Sequence, residues 1–411
     1  MSPRPMLIVG YVNVLPHLDH FPVNGMILVE EPDVVRKRDL VGVMAGVERM
    51  RELIEWEYQL PASADEFFNT YPDLDPSVVV PLVEYAVPFA ARLAERYGLP
   101  GAGSAVATVL RDKELLRRVT RAAGVPNPAS VAVSGPEEVR EFMAAHPGAV
   151  VLKPSNRQAS LGTQVLHSPS EVDRAWAECV RVDEGVLVPD RPMPVQVLVE
   201  RCMHGPEYSV EMLVRDGIPL FTNITAKSLF PGTRPVEQGH VVPADVPPEL
   251  ADALRSGTTA VLTAIGFGSG VIHCEWIVED GVPHLVECAG RMPGDGIPDL
   301  IERAYPIDLA TAYYAIMRGD EVPALPATAA RATAVRFLAC SGGRVESVSG
   351  AAEAEALPGV YRVHLREVGE EVPPLRSSWD RTGAIYVEAE TPGAALKLAD
   401  RAADLITITL R

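Results

Sequence analysis

The feature that most constrains the fold is a pair of apolar segments that carry carboxylates and are joined by a short polar turn. Residues 271–278 read Val-Ile-His-Cys-Glu-Trp-Ile-Val, and residues 284–289 read His-Leu-Val-Glu-Cys-Ala. Alternation in the first segment places His273 and Glu275 on one face of a strand. An Asp-Gly dipeptide between the segments predicts a β-hairpin. Two carboxylates on an apolar hairpin are costly unless a cation balances them, so the hairpin indicates a cation site.

The length of the turn decides which hairpin residues face each other. A three-residue turn over 280–282 places Glu275 opposite Glu287, a pair of oxygen ligands that suits Mg²⁺. A two-residue Asp-Gly turn, which local turn statistics favour, instead directs Glu287 away. It gathers His284 with His273 and Glu275, a set of the kind that holds zinc. From the hairpin residues alone, both registers stay open.

The rest of the chain alternates between strand-like and helix-like segments, which predicts an α/β protein of several domains. Over the first hundred residues we expect buried strands at 6–12, 25–29 and 78–81 and helices at 43–58 and 82–97. A further helix is expected at 108–123. The predicted domains are an α/β domain over 1–103, a small subdomain over 104–190, a large subdomain over 191–325 and a C-terminal α+β subdomain over 326–411.

Charge and composition exclude several classes of protein. The 55 acidic and 37 basic residues give a formal net charge of −18, which repels nucleic acid. No uncharged apolar stretch is long enough for a membrane span, and the N-terminus lacks the pattern of a signal peptide. The five cysteines are scattered and form no CxxC pair, so we expect free thiols in the cytoplasm.

Lysine is scarce, which draws attention to the few that occur. The five lysines are Lys37, Lys113, Lys153, Lys227 and Lys397. Lys153 ends an apolar strand and precedes a loop of small polar residues that closes at Gly162, an arrangement that can present N–H groups and a positive charge to phosphates. Lys113, taken alone, fits the solvated face of an amphipathic helix. No P-loop, GxSxG or HExxH motif is present.

Taken together, these motifs resemble those of the ATP-grasp superfamily. The motifs are Arg-Asp-Lys113, Val-Leu-Lys153-Pro, Val-Leu-Val-Glu200-Arg-Cys-Met-His-Gly-Pro-Glu207 and His273-Cys-Glu275 with Glu287-Cys-Ala-Gly-Arg291-Met-Pro-Gly-Asp295. Their order matches over about residues 105–320. Ile-Thr-Ala-Lys227 and Glu237-Gln-Gly-His240 are most similar to L-amino acid ligases, which make dipeptides. The resemblance implies an ATP-grasp fold after an open, Rossmann-like α/β domain and before a small C-terminal α+β domain.

The resemblance also implies the residues that hold ATP. The nucleotide-binding set is Lys113, Lys153, Ser155, Ser160, Gly162, Glu200, Arg201, Cys202 and Glu207. The two lysines would hold phosphates beneath the loop over 155–162. Glu200, Arg201 and Cys202 would form the adenine hinge, with the backbone of the latter two reading the base. Glu207 would bind the ribose.

Metal and catalytic roles follow from the same resemblance. Glu275 and Glu287 would hold one or two Mg²⁺ ions, with Mn²⁺ as a substitute, and this pairing selects the three-residue turn. Ala289 stands where many members have Asn, which leaves the number of metal ions open. The implied catalytic residues are Arg291 at the transferred phosphoryl group, Lys227 near the acyl phosphate and His240, which would orient or deprotonate the amine.

The expected function is therefore an ADP-forming carboxylate–amine ligase that joins two amino acids, or an amino acid and a small peptide-like acid, through an acyl phosphate. One alternative is an ATP-grasp carboxylase or purine-pathway ligase that uses bicarbonate or formate. The other is a nucleotide- or metal-binding protein without turnover. Small-molecule substrates and a homodimer are expected, whereas nucleic acid and membrane are not. Segments 155–162 and 228–239 are the expected lids that keep water from the intermediate.

Overall fold

The N-terminal region is a parallel four-stranded sheet with helices, as the alternation predicted. The computed structural model describes residues 4–12, 14–182, 184–185, 188–340 and 342–411. Its first elements are β1 (Met6–Val9), β2 (Met26–Glu30), α1 (Pro32–Lys37), α2 (Leu40–Val43), β3 (Met50–Glu55), α3 (Ser63–Thr70), β4 (Val78–Pro81) and α4 (Val87–Arg96). The strands lie in the order β3-β2-β1-β4 and pair in parallel. Apart from Glu30, the residues of β1, β2 and β4 are apolar, and all three strands are buried, as a helix-covered parallel sheet requires.

One predicted helix in this region is wrong. We expected a helix over 43–58, but α2 ends at Val43 and Met50–Glu55 forms the strand β3. β3 lies at the edge of the sheet and exposes the charged residues Arg51 and Glu52. Because an edge strand buries little of its surface, charged residues interrupt its apolar pattern, and the segment then mimics the spacing of a helix.

The next region contains an antiparallel sheet of its own. Its elements are α5 (Ser104–Leu110), α6 (Lys113–Ala122), β5 (Ser130–Val133), α7 (Pro136–Ala145), β6 (Val150–Pro154), β7 (Gln164–Leu166), α8 (Val172–Cys179) and β8 (Val197–Arg201). The strand order is β5-β8-β6-β7. β6 and β8 lie side by side in the centre and pair antiparallel, which brings the carboxyl end of β6 to the amino end of β8. This pairing places Lys153 and Glu200 on neighbouring strands.

The helix predicted over 108–123 is two helices, because Asp112 starts a new one. The Asp112 side chain accepts hydrogen bonds from the N–H groups of Glu114 and Leu115, which caps α6 at its N-terminus. Lys113 is thus the first residue of α6. It is 7% exposed, so its charge lies inside the protein and not on a solvated helix face.

A large antiparallel sheet carries most of the remaining chain. Its region contains β9 (Glu207–Arg215), β10 (Ile218–Leu229), β11 (Glu237–Val242), α9 (Pro248–Ile265), β12 (Gly270–Glu279), β13 (Val282–Ala289), α10 (Ile297–Ala304) and α11 (Leu309–Arg318). The C-terminal elements are β14 (Ala332–Leu338), β15 (Gly343–Ser349), α12 (Ala351–Glu355), β16 (Val360–Leu365), β17 (Glu371–Val372), β18 (Gly383–Ala389), α13 (Pro392–Leu405) and β19 (Thr407–Leu410). Within the described chain, the sheet order is β13-β12-β9-β10-β11-β14-β18-β16. The pairing of β11 with β14 therefore runs one sheet into the C-terminal region.

One hydrophobic core joins the N-terminal sheet to this large sheet. It contains Ile8 of β1, Leu213 of β9 and Leu300 of α10, all fully buried. Because the core is continuous, the ends of the N-terminal strands are held against the face of the large sheet. That packing creates the clefts in which the candidate site lies.

Two further expectations can be compared with the structure. Among the described residues, no helix is long and apolar enough to cross a membrane. The five cysteines are all free, as predicted.

Candidate active site

The hairpin of β12 and β13 combines the two registers that the sequence left open. Asp280 and Gly281 form a two-residue turn, with φ of 53° and 80°, so the expected three-residue turn is wrong. Positive φ at both positions is what a type I′ turn requires and what Asp-Gly supplies. Glu275 nevertheless pairs directly with Glu287, as the resemblance implied.

A β-bulge reconciles the short turn with this pairing. Trp276 lies opposite Leu285 and Glu275 lies opposite Glu287, so Val286 is the extra residue on β13. The carbonyl oxygen of Val286 accepts a hydrogen bond of 2.6 Å from the Arg117 guanidinium. The bulge therefore has a buried partner of its own, and it turns Glu287 to the same face as Glu275.

The alternative zinc site is not assembled. Next to the turn, His284 lies opposite Ile277, as the two-residue turn predicts, but both ring nitrogens of His273 are taken by Glu211 and Glu275. Within the described parts of the chain, no group of three or more His, Cys, Asp or Glu residues could hold a metal ion. The two opposed glutamates remain the candidate ligands.

Each glutamate of the pair is held by a lysine. Lys227 Nζ lies 2.7 Å from Glu275 Oε1, and Lys113 Nζ lies 3.0 Å from Glu287 Oε1. Burial alone would raise the pKa of Glu275, but Lys227 and His273 hold it well below its usual value. The pair offers carboxylate oxygens, the donor chemistry that Mg²⁺ prefers, and each carboxylate contacts an amine that a cation could replace.

Lys153 and Glu200 form the second ion pair, at a distance of 2.5 Å between Nζ and Oε1. Both side chains are buried, and Arg117 completes the group with a contact of 3.1 Å to Glu200. Burial would raise the pKa of Glu200, but Lys153 and Arg117 lower it. For Lys153, burial lowers the pKa of the amine, while Glu200 opposes that shift.

A first cavity lies between the two sheets and contains these groups. Its lining includes, among other residues, Lys113, Lys153, Ser160, Glu200, Arg201, Cys202, Met203, Glu207, Lys227, Glu275 and Glu287. Glu207 begins β9, and burial raises its pKa to about 7, an effect that Lys227 reduces and Glu275 increases. Most residues of the implied nucleotide set thus surround one space.

The hinge needs a correction at the backbone. The N–H group of Arg201 donates to Ala129, and that of Cys202 donates to Ala149, so neither N–H can donate to a base. The Met203 N–H has no acceptor among the described residues, and Met203 lines the first cavity. The side chain of Arg201 is also occupied, by an ion pair of 2.6 Å with Glu279.

The loop over 155–162 contributes unevenly. The Ser155 N–H donates to the Gln196 carbonyl oxygen at 2.7 Å. Ser155 lines neither the first cavity nor a second cavity that adjoins it. Ser160 lines both. Gly162 has a φ of 73°, and a Cβ there would approach Val182 Cγ1 to 2.6 Å, so its role is conformational.

A second cavity adjoins the first and shares part of its wall. Residues that line both are Gln158, Ser160, Lys227, Glu237, Glu275 and Glu287. Most of the remainder comes from three regions: residues 82–85 after β4, residues 289–297 from the end of β13 to the start of α10, and residues 378–381 before β18. Val12, Ala159, His240 and His273 complete the lining. The N-terminal and C-terminal regions thus both contribute to it.

Arg291 lines the second cavity and is anchored by a buried glutamate. Arg291 Nε lies 2.6 Å from Glu84 Oε2, and Arg111 lies 3.0 Å from the other oxygen of Glu84. Burial would raise the pKa of Glu84, but the two arginines lower it to about 2. The N-terminal region therefore fixes the guanidinium of Arg291.

His240 lies in the same wall, in a cluster with Asp295 and Arg381. His240 Nε2 lies 3.1 Å from Asp295 Oδ2, and Arg381 forms a two-point ion pair with that carboxylate. Burial raises the pKa of Asp295, but His240 and Arg381 hold it well below its usual value. His240 is thus tied to a carboxylate within the cavity wall.

Two parts of this chain match models of known protein families. One family model, the ATP-grasp domain, matches residues 146–299, and a second, L-amino acid ligase C-terminal domain 2, matches residues 336–411. The chain therefore contains an ATP-grasp domain and, at residues 336–411, a domain of the kind found in L-amino acid ligases. The resemblance drawn from the motifs is confirmed, as is the mixed α/β architecture.

Relatives of this ATP-grasp chain are distant. The uncharacterized protein y4rH of Sinorhizobium fredii is 26% identical over 317 residues, which cover 77% of this chain and 64% of that protein. A D-alanine–D-alanine ligase of Pseudomonas entomophila is 26% identical over 129 residues, or 31% of this chain and 37% of the ligase. The chain thus spans less than two thirds of these relatives. The crystal structure of an L-amino acid ligase from Bacillus licheniformis aligns over 100% of both chains, with a TM-score of 0.77 at 17% identity, and shows a shared fold.

Sequence reasoning missed several residues that shape the site of this ATP-grasp protein. They are Glu84, Arg111, Arg117, Asp295, Trp379 and Arg381. Glu84 and Trp379 come from regions outside the motif-bearing segment, and a linear motif cannot show which distant segments pack against it. Asp295 was quoted in a motif, but nothing in the sequence pairs it with His240.

Proposed function

We propose that the protein is an ATP-dependent, ADP-forming carboxylate–amine ligase that joins two amino acids through an acyl phosphate. The observation that carries this proposal is the pair of adjoining cavities with a common wall of Lys227, Glu275 and Glu287. A nucleotide in the first cavity would direct its terminal phosphate toward an acid in the second. The matches to the ATP-grasp domain and to an L-amino acid ligase C-terminal domain support the same reaction.

Residues of the first cavity would bind the nucleotide. Lys113 and Lys153 would neutralise phosphate oxygens, and Glu207 would accept hydrogen bonds from the ribose hydroxyls. The unpaired N–H of Met203 is the donor that we assign to the adenine edge, in place of the N–H groups of Arg201 and Cys202. Ser160 would contribute to closure over the phosphates, whereas Ser155 and Gly162 would only shape the loop.

The two glutamates would hold Mg²⁺. Glu275 and Glu287 offer opposed carboxylates, and a bound ion would take over the charge balance now supplied by Lys227 and Lys113. Such an ion supplies neutralisation of phosphate charge. The lysines, once released, would be free to contact the phosphates and the acid.

Residues of the second cavity would act on the acid and the amine. Arg291, fixed by Glu84, would stabilise charge on the transferred phosphoryl group, and Lys227 would lie beside the acyl phosphate. His240 would orient the incoming amine or accept its proton, with Asp295 holding the ring. Because an acyl phosphate hydrolyses in water, the loops over 155–162 and 228–239 would cover it.

The test is ADP release in the presence of Mg²⁺-ATP and a panel of amino-acid pairs, with mass spectrometry of the products. We expect equal amounts of ADP and dipeptide for at least one pair. Release of ADP with bicarbonate alone would overturn the proposal in favour of a carboxylase. Nucleotide binding without ADP release under any condition would instead favour a binding protein without turnover.

A further inference from the structure

Trp379 is an exposed aromatic residue in the wall of the second cavity. Its exposed fraction is 36%, and it is the one tryptophan among the fourteen large apolar residues that the described chain exposes. It lies in a short 3-10 helical turn, Ser378–Asp380, between β17 and β18. Because it borders the cavity, the indole offers a large apolar face to a ligand that occupies this space.

The turn that carries Trp379 is held in place from several directions. The Ser378 hydroxyl donates to Glu237 at 2.8 Å, and the Ser378 N–H donates to the Ala159 carbonyl oxygen at 3.3 Å. Asp380 accepts hydrogen bonds from the N–H groups of Arg376 and Ser377. These bonds tie the turn to β11 and to the loop over 155–162, so the indole is fixed and not merely loose on the surface.

Arg381 adds a further anchor on the other side of Trp379. Its guanidinium pairs with Asp295, donates to the Ser378 carbonyl oxygen at 2.6 Å, and lies 3.7 Å from the centre of the Phe337 ring. Each nitrogen of this side chain therefore donates at least one hydrogen bond inside the protein. Arg381 positions the turn, and its charge is paired with that of Asp295.

The N-terminal region and α10 also contribute a group of apolar residues to the cavity. The group includes Val12, Leu82, Val83 and Ile297. Val83 packs on Gly10, where a Cβ would approach the Val83 side chain to 2.4 Å, so the place of this valine is fixed by a residue at the end of β1.

The charged residues of this cavity already have partners of opposite charge. The pairs are Glu84 with Arg291, Lys227 with Glu275 and Glu237, Glu287 with Lys113, and Asp295 with Arg381. With Lys113 and Lys227 engaged by the phosphates and the acid, a charged side chain of a ligand would find no unpaired complement among these residues, and its desolvation would be uncompensated. An apolar side chain would instead bury surface against the aliphatic residues and the indole.

We propose that Trp379, supplied by the C-terminal region, is a specificity-determining residue that selects an amino-acid substrate with a large apolar side chain. The inference rests on the proposed function, since it names the class of one amino acid that the ligase joins. The polar groups of that substrate face the shared wall of the two cavities, and its side chain lies between Trp379 and the aliphatic residues Leu82, Val83 and Ile297.

The experiment compares the wild-type protein with Trp379→Ala and Trp379→Phe, and with Leu396→Ala as a control. Leu396 is an exposed apolar residue on α13 of the same region and lies outside the cavity. The measured quantity is kcat/KM for leucine relative to alanine, with ATP, Mg²⁺ and a fixed second amino acid. We expect Trp379→Ala to lower this ratio about tenfold, the effect of losing one wall of an apolar pocket. Trp379→Phe and Leu396→Ala should keep it within about twofold.

An equal change for leucine and alanine in Trp379→Ala would overturn the inference, because a structural role alone affects both. An unchanged ratio would overturn it as well. Intrinsic fluorescence separates this outcome from failure of the proposed function. We expect leucine to change the emission of the wild-type protein and not that of Trp379→Phe, which retains the other three tryptophans. If no amino-acid pair releases ADP, the proposed function fails, and the titration alone then supports or rejects binding at Trp379.

Discussion

Glu275 and Glu287 lie directly opposite each other, although only Asp280 and Gly281 form the turn between their strands. The single extra residue Val286 makes this possible, because a bulge moves every following residue of β13 to the other face of the sheet. The bulge is stabilised by Arg117, which bonds both to Val286 and to the buried Glu200. One arginine thus links the geometry of the carboxylate pair to that of the Lys153 ion pair.

Replacement of Glu287 by Gln should lower the rate of ADP release by about 100-fold or more at fixed Mg²⁺. The amide removes one of two opposed anionic ligands and leaves Lys113 without its partner. Higher Mg²⁺ should recover part of the rate. Steady-state kinetics over a Mg²⁺ titration measure both effects. Glu346→Gln, at an exposed position of β15, should behave as the wild-type protein. A Glu287→Gln variant with unaltered Mg²⁺ dependence would remove this residue from the metal site.

Replacement of Lys153 by Met should abolish detectable ATP binding and also reduce stability. Lys153 is 5% exposed and pairs with the buried Glu200, so its loss leaves a carboxylate with Arg117 alone. We expect the free energy of unfolding to fall by about 2 kcal/mol. This loss is smaller than that of a buried pair that is broken completely, because Arg117 still contacts Glu200. Calorimetric titration with ATP and urea denaturation measure the two quantities. The matched variant Lys397→Met changes an exposed lysine and should alter neither.

Glu84 should make the protein sensitive to acid. Its pKa in the folded protein is about 2, against an ordinary value of 4.5, because Arg291 and Arg111 outweigh its burial. A lowered pKa stabilises the folded state above pH 4.5, and this stabilisation is lost as the pH falls toward 2. The shift corresponds to about 3 kcal/mol.

The corresponding measurement is the free energy of unfolding as a function of pH for the wild-type protein, Glu84→Gln and Glu66→Gln. Glu66 is exposed on α3 and serves as the control. Between pH 4.5 and 2 we expect Glu84→Gln to lose less stability than the other two. Three parallel curves would show that the two arginines do not lower the pKa of Glu84.

Gly162→Ala should weaken ATP binding more than a similar change elsewhere. The position requires a φ of 73°, and the new Cβ would approach Val182 Cγ1 to 2.6 Å. Gly124→Ala is the matched control, because Gly124 has a φ of 82° with no atom within 4 Å of the added Cβ. Both variants should lose about 1 kcal/mol of stability from the left-handed conformation. Only Gly162→Ala should also raise the KM for ATP, since only there must the loop over 155–162 shift. Equal KM values in both variants would contradict this role.

Much of the fold follows from local patterns. The apolar runs of β1, β2 and β4, the capping residue Asp112 and the Asp-Gly turn are all legible in sequence, because each depends on residues only a few positions apart. The edge strand β3 was misread for the same reason. Its pairing with β2 is a contact with a distant segment, and local periodicity alone favoured a helix over 43–58.

The candidate site was likewise predictable only where local motifs carry it. Family motifs named the lysines and carboxylates that surround the first cavity, including the Glu275–Glu287 pair, yet the turn inferred from that pair was one residue too long. A bulge at Val286 cannot be seen in sequence, since it is stabilised by Arg117 from another part of the chain.

The sequence by itself determined the chemistry of this protein: which amines and carboxylates are present, and in what order along the chain. Only the tertiary structure decided how those charges are paired and which apolar residues face them. Glu84 reaches Arg291 across 207 positions, and Arg381 reaches Asp295 across 86. Such pairs form because burial removes water from charged groups and makes an opposite charge necessary, whatever its distance in sequence.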